Sequence, residues 1–137
     1  MGSSRYTDLR GTRTEHLAVN VPAATATATF ALLDCPHSAT IESVQFIAGI
    51  AHAGHAANTK NINIDTRNSS FAVPSEVAAR DYGAGTNDAA ADVVDLWTPT
   101  GTAGDIAANG YLSAEIELVG TGLNLVGTFV TKWRVRE

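Results

Sequence analysis

Residues 112–137, LSAEIELVGTGLNLVGTFVTKWRVRE, decide the fold. Leu112, Ala114, Ile116 and Leu118 alternate with Ser113, Glu115 and Glu117. A period of two marks a strand with one buried face, because successive side chains leave opposite sides of the backbone. The alternation breaks at Gly120-Thr121-Gly122. It resumes with Leu123, Leu125, Phe129, Trp133 and Val135 on one parity and Asn124, Thr128, Lys132, Arg134 and Arg136 on the other. Two such runs around a glycine-containing turn predict an antiparallel hairpin. In that hairpin Glu115 and Glu117 face Lys132 and Arg134 across the two strands.

The segments upstream repeat the pattern. Leu17, Val19 and Val21 alternate with His16, Ala18 and Asn20, and Pro22 closes that strand. Thr25, Thr27 and Thr29 alternate with Ala24, Ala26, Ala28 and Phe30, and β-branched threonine favours extended backbone. In residues 40–50 Val44, Phe46, Ala48 and Ile50 share a face, while Ile41 and Ile47 break the parity. That break predicts a β-bulge or a strand covered on both sides. Ile62, Ile64 and Thr66 alternate with Asn63, Asp65 and Arg67, and Asn68-Ser69-Ser70 reads as a turn.

Residues 71–97 are ambiguous. The run from Pro74 to Arg80 suits one or two helical turns. Asn87 or Asp88 can cap a short helix with Val93, Val94 and Trp97 on its apolar face, and residues 92–98 read equally as a strand. Six to eight short strands joined by Gly, Pro and Asn turns predict an all-β chain. The expected architecture is an antiparallel β-sandwich or jelly roll, with short helical turns within 75–97. Residues 1–14 are expected to form a flexible polar arm, and 15–137 a single domain.

Composition narrows the function. The 137 residues carry 14 Asp and Glu against 9 Lys and Arg, a net charge of −5. An acidic balance disfavours direct nucleic-acid binding, which needs phosphate neutralisation. Cys35 is the single cysteine, so no intrachain disulfide forms. Residues 1–11 lack the apolar core of a secretion signal, and no apolar run reaches the roughly 20 residues of a membrane span. Neither a membrane nor a cofactor is expected as a partner.

Candidate chemistry is sparse. His52 and His55 in HAGH, with Cys35 and His37, are the residues a zinc site would draw on, but zinc needs three or four converging ligands. Cys35 as a nucleophile needs a positioned base. Asp88, Asp92 and Asp95 would share one face of a helix without the oxygen-ligand spacing of a calcium loop. Trp97 and Trp133 suit packing or a contact surface. No catalytic, cofactor-binding or metal residue is assigned, and the chain is not expected to be an enzyme.

The layout resembles small structural proteins of tailed-bacteriophage virions, among them capsid decoration, or cement, proteins. The likeness rests on a polar arm, on CPHSATIESVQFIAG entering an early strand, on NTKNINIDTR as its partner, and on TAGDIAANGYLSAEIELVGTG before a last strand ending TKWRVRE. It implies a subunit that self-associates, as a trimer, and binds the major capsid protein or another virion protein. It also implies a place on the capsid surface after assembly in the host cytoplasm. The candidate contact residues are Tyr6, Leu9, Arg10 and Arg13 of the arm, together with Ile41, Ile47 and Trp97. Two other classes remain open. One is a carbohydrate- or ligand-binding sandwich using Trp97, Tyr82 or Tyr111 as a platform. The other is a small metal-dependent cupin-like enzyme relying on His52, His55 and an acidic partner.

Overall fold

A computed structural model describes residues 11–72 and 74–136. Within them lie nine strands and no helix. They are β1 (Arg13–Val21), β2 (Ala28–Cys35), β3 (Ala39–Ala48), β4 (Thr59–Arg67), β5 (Pro74–Asp81), β6 (Val93–Trp97), β7 (Asp105–Ile106), β8 (Gly110–Val119) and β9 (Leu125–Val135). One sheet runs β1-β9-β3-β6, with the short β7 also on β3, and the other runs β2-β8-β4-β5. Every pairing is antiparallel. With β7 set aside as an accessory, the chain switches sheet at each step except between β4 and β5. That strand order is an eight-stranded jelly roll.

The predicted hairpin is therefore an arch. β8 pairs with β2 and β4, whereas β9 pairs with β1 and β3 in the facing sheet. The apolar parities are as read: Leu112, Ala114, Ile116, Leu125 and Phe129 all lie in the core. What differs is the partner. Glu115 and Glu117 accept hydrogen bonds from Asn63 Nδ2 at 3.3 and 3.4 Å, and Arg134 pairs with Glu42 at 3.5 Å. The Glu–Lys/Arg ladder expected across the turn does not form.

The parity break in β3 is a bulge. Ile41 faces Trp133 and Ser43 faces Lys132, so Glu42 is the extra residue. The inward set accordingly changes from Ala39 and Ile41 to Val44, Phe46 and Ala48. A second register shift, between Ala31 and Leu33, lets Leu32 and Leu33 both be buried. Phe46 and Phe129, with ring centroids 5.0 Å apart, centre a core that includes Ile41, Ile62, Ile64, Leu112 and Leu125. Each such side chain contributes roughly 1.5–3 kcal/mol by leaving water.

The expected helical turns in 75–97 are absent among the described residues. β5 and β6 are edge strands there, pairing with β4 and β3. β-branched Val93 and Val94 suit an extended edge. The aspartates that would have lined one helical face are dispersed. Asp92 accepts the Ala89 amide at 2.7 Å, Asp95 accepts Gln45 Nε2 at 2.6 Å, and Asp88 turns inward. Of the 1–14 segment expected as an arm, Arg13 and Thr14 already belong to β1, paired with Trp133 and Lys132, and residues 1–10 lie outside the described residues.

Candidate functional site

Four connections meet at one end of the sandwich: β1–β2, β3–β4, β5–β6 and β8–β9. Asn124 Oδ1 accepts the Ala23 amide at 2.8 Å, Asn58 Oδ1 accepts the Thr121 amide at 3.0 Å, and Asn87 Oδ1 accepts the Gly54 amide at 2.9 Å. Beneath these loops lies a buried polar cluster of His52, Arg80, Tyr82 and Asp88.

The cluster is built from backbone upward. His52 and Asp88 exchange both backbone hydrogen bonds, each 3.0 Å, in an isolated antiparallel bridge. That bridge brings their side chains together, with His52 Nδ1 3.1 Å from Asp88 Oδ2. The Val126 amide reaches His52 Nε2 at 3.2 Å. A backbone N–H only donates, so Nε2 accepts, and the imidazole proton sits on Nδ1 and is donated to Asp88. Tyr82 donates its hydroxyl to Asp88 Oδ2 at 2.7 Å, and Arg80 donates to Asp88 Oδ1. Burial alone would raise the Asp88 pKa, but the donors Tyr82, His52 and Arg80 outweigh it and hold the carboxyl below its ordinary value. Burial, then the hydrogen bond to Asp88 and its charge, push the Tyr82 phenol up against the opposing effect of Arg80.

A His–Asp pair invites comparison with the base of a nucleophilic triad. Here the nitrogen that would take a proton is already occupied by the Val126 amide, and both side chains are buried. Among the described residues, no hydroxyl or thiol hydrogen-bonds to His52. The cluster holds β9, the β3–β4 loop, and β5 with the loop that follows it in one geometry.

Lys60 lies close by. It shares the inward parity of Ile62 and Ile64, is fully buried, and donates from Nζ to the Thr25 carbonyl at 3.0 Å. Burial lowers its pKa from the ordinary 10.5. A lowered ammonium pKa means that folding penalises the charged form, a cost relieved as pH rises from the depressed value towards 10.5. Lys60→Met is expected to raise the unfolding free energy at neutral pH by about 1 kcal/mol and to remove this alkaline gain. Urea titrations at neutral and alkaline pH, set beside the wild type, measure both effects.

The other residues singled out in the sequence fall apart spatially. Cys35 ends β2 at the opposite end of the sandwich from His52 and is 1 % exposed. Burial, and then Asp34, raise its thiol pKa to about 11, so it is no thiolate nucleophile at neutral pH. His55 Nδ1 accepts the Ala57 and Asn58 amides, both at 3.0 Å. His37 lines a pocket of about 250 Å³ with Arg13, Pro36, Trp133 and Val135. Among the described residues, no three His, Cys, Asp or Glu side chains converge as a metal site. Tyr82 is fully buried and offers no ligand platform, whereas Tyr111 is half-buried edge-on to Phe71, with centroids 5.0 Å apart.

Of the candidate contact residues, Tyr6, Leu9 and Arg10 lie outside the described residues. Arg13 starts β1 with its guanidinium 6.0 Å from the centre of the Trp133 ring. Ile41 belongs to the core at 1 % exposure and is no surface residue, because the β3 bulge turns it inward. Trp97 is half-buried against the core. Ile47 is half-buried and points away from the core. The cluster itself had no sequence signal, since His52 and Asp88 are 36 residues apart. Lys60 had one, in its shared parity with Ile62 and Ile64.

The chain matches no protein-family model and no curated protein. Among solved structures it is similar to a chain of the infectious bursal disease virus Gx strain, with 12% identity and a TM-score of 0.38, covering 91% of this chain and 32% of that one. A chain of the Gt strain gives 13% identity and a TM-score of 0.28, covering 93% and 42% respectively. The present chain thus spans less than half the length of either. The jelly-roll assignment rests on its own strand order.

Proposed function

We propose that this chain is a bacteriophage virion structural protein, one that decorates or cements a capsid by self-association and by binding the capsid lattice. The observation that carries the reading is the strand order β1-β9-β3-β6 over β2-β8-β4-β5. By analogy of fold, jelly rolls serve as capsid modules, lectins and cupins. The interior, where a cupin would keep its metal, is filled by Phe46, Ile62, Ile64 and Phe129. His52 is committed to Asp88 and Val126, and Tyr82 is lost as a sugar platform. A decoration subunit needs a rigid module and outward surfaces, and the sealed loop end supports that reading. Its partners in this reading are further copies of itself, in three-fold order, and the major capsid protein or another virion protein. Binding the assembled lattice would stabilise it by mass action.

The test is cosedimentation of the purified chain with capsids of its phage that lack it. Saturable binding at roughly micromolar concentration, with delayed thermal disassembly of the particle, is the expected result. Absence of binding, together with a monomeric mass, overturns the reading.

A further inference from the structure

The two outer faces of the sandwich differ. On the β2-β8-β4-β5 sheet the outward positions include Glu76, Glu115 and Glu117, while Asp65, of the same parity, is buried among its neighbours and paired with Arg67 at 3.6 Å. Burial, and then the charges of Glu115 and Glu76, raise the Asp65 pKa although Arg67 works against them. A second copy of that face would be repelled. The outer face of the β1-β9-β3-β6 sheet is different in kind. Val130 is 6 % exposed yet is no part of the core cluster, so it is covered from outside by its own neighbours. Ile47 and Val93 also lie off the core, and Val93 is 57 % exposed, the most exposed large apolar side chain described.

Register sorts this face into rows. One row reads Ala18, Thr128, Ile47, Val93 from β1 to β6. The next reads His16, Val130, Gln45, Asp95. Turning a second copy about an axis parallel to the strands, between β9 and β3, lays each row on itself in reverse. Small Ala18 then meets the large, exposed Val93, and Thr128 meets Ile47. In the next row an imidazole donor at His16 meets the carboxylate of Asp95, which also accepts Gln45 Nε2 of its own chain at 2.6 Å. Large opposes small, and donor opposes acceptor, in successive rows.

We propose that the outer face of the β1-β9-β3-β6 sheet binds the same face of a second copy about a two-fold axis parallel to the strands. The contact is isologous, so every pair occurs twice. Face-to-face sheets pack with strand directions within about 30° of each other, which this axis permits. Three strands roughly 30–35 Å long and the five-residue β6, about half that length, spaced about 4.8 Å apart, give a face near the lower end of specific interfaces. The contact deepens the self-association of the proposed function and rests on that reading for its purpose. On a capsid it would join neighbouring three-fold units across two-fold positions.

Sedimentation equilibrium of the full chain over roughly 1–200 µM tests it. The wild type is expected at two subunits or an even multiple, and Val93→Arg at half that mass or with its dissociation constant at least tenfold higher. His16→Glu and Asp95→Lys each weaken association, and together in one chain they restore it. Circular dichroism of each variant confirms folding. A wild type that is monomeric at the highest concentration, or an unchanged mass for Val93→Arg, overturns the contact. A double variant no tighter than the single ones overturns the two-fold register. Association through this face without capsid binding defeats the decoration role alone. Capsid binding with an unchanged Val93→Arg mass defeats the two-fold contact alone.

Discussion

Asp88→Asn is expected to lower the unfolding free energy at neutral pH by about 3 kcal/mol, measured by urea denaturation. Asp88 accepts from His52, Tyr82 and Arg80 at once. The amide keeps the shape but removes the charge and turns one acceptor into a donor that faces donors. Breaking a buried charge network from one side costs about 3–5 kcal/mol, because the remaining groups stay buried without a counterpart. The lower end applies because the Arg80 side chain is 24% exposed and can turn to water. Tyr82 and His52 have no such escape.

The same variant carries a pH signature. The folded Asp88 pKa lies below the ordinary 3.8. A depressed carboxyl contributes stability that is full above its unfolded value and is lost as pH falls through its folded value. Wild-type stability should therefore fall below about pH 3.8, and the Asp88→Asn curve should lack that share of the decline. Asp65 acts in the opposite sense, because its raised pKa means that protonation relieves a cost as the solution is acidified. Subtracting the two stability curves isolates Asp88, since Asp65 is common to both proteins. A difference that does not shrink below pH 3.8 would show that the carboxylate charge is not what the three donors require.

Which parts of this were legible in the sequence follows from what side-chain alternation encodes. Parity says which side chains face the core, so the inward sets of β1, β4, β8 and β9 could be read directly. In β3 the break at Ile41 and Ile47 could be read as a bulge, and the register shift at Glu42 is that bulge. Parity does not say which strand lies alongside. Two runs facing one core through a glycine turn read the same whether they share a ladder or stand in opposite sheets, and so β8 and β9 were legible as strands but not as an arch. In residues 88–97 the alanines and a cap at Asn87 or Asp88 favoured a helix as much as the alternative strand over 92–98, and the strand is the one that forms. There the edge of β3 was available to Val93–Trp97, and tertiary pairing outweighed local propensity. The polar cluster needs His52 from one loop, Asp88 from another and Arg80 and Tyr82 at a strand end, a meeting that only the strand order creates.

Gly122→Ala tests that arch and is expected to cost about 2–5 kcal/mol in unfolding free energy, measured by urea denaturation. Gly122 has φ of +72° and Gly120 of +62°. A left-handed backbone costs a residue with a β-carbon roughly 1–2 kcal/mol. Overpacking adds about 1–3 kcal/mol where neighbours cannot yield. A β-carbon on Gly122 would run into the Ala23 carbonyl oxygen and the Leu118 side chain. The first of those is backbone in the β1–β2 loop, which Asn124 holds through the Ala23 amide. In a two-stranded hairpin the same turn would project into water, and only the φ cost would remain. In the arch the turn is wedged under a neighbouring loop, so both costs apply. Gly101, with φ of +58° and open space around its missing β-carbon, supplies the control. Gly101→Ala should lose only the backbone share, about 1–2 kcal/mol. Equal losses at the two glycines would mean that the 120–124 turn stands free and that β8 and β9 are not joined as an arch.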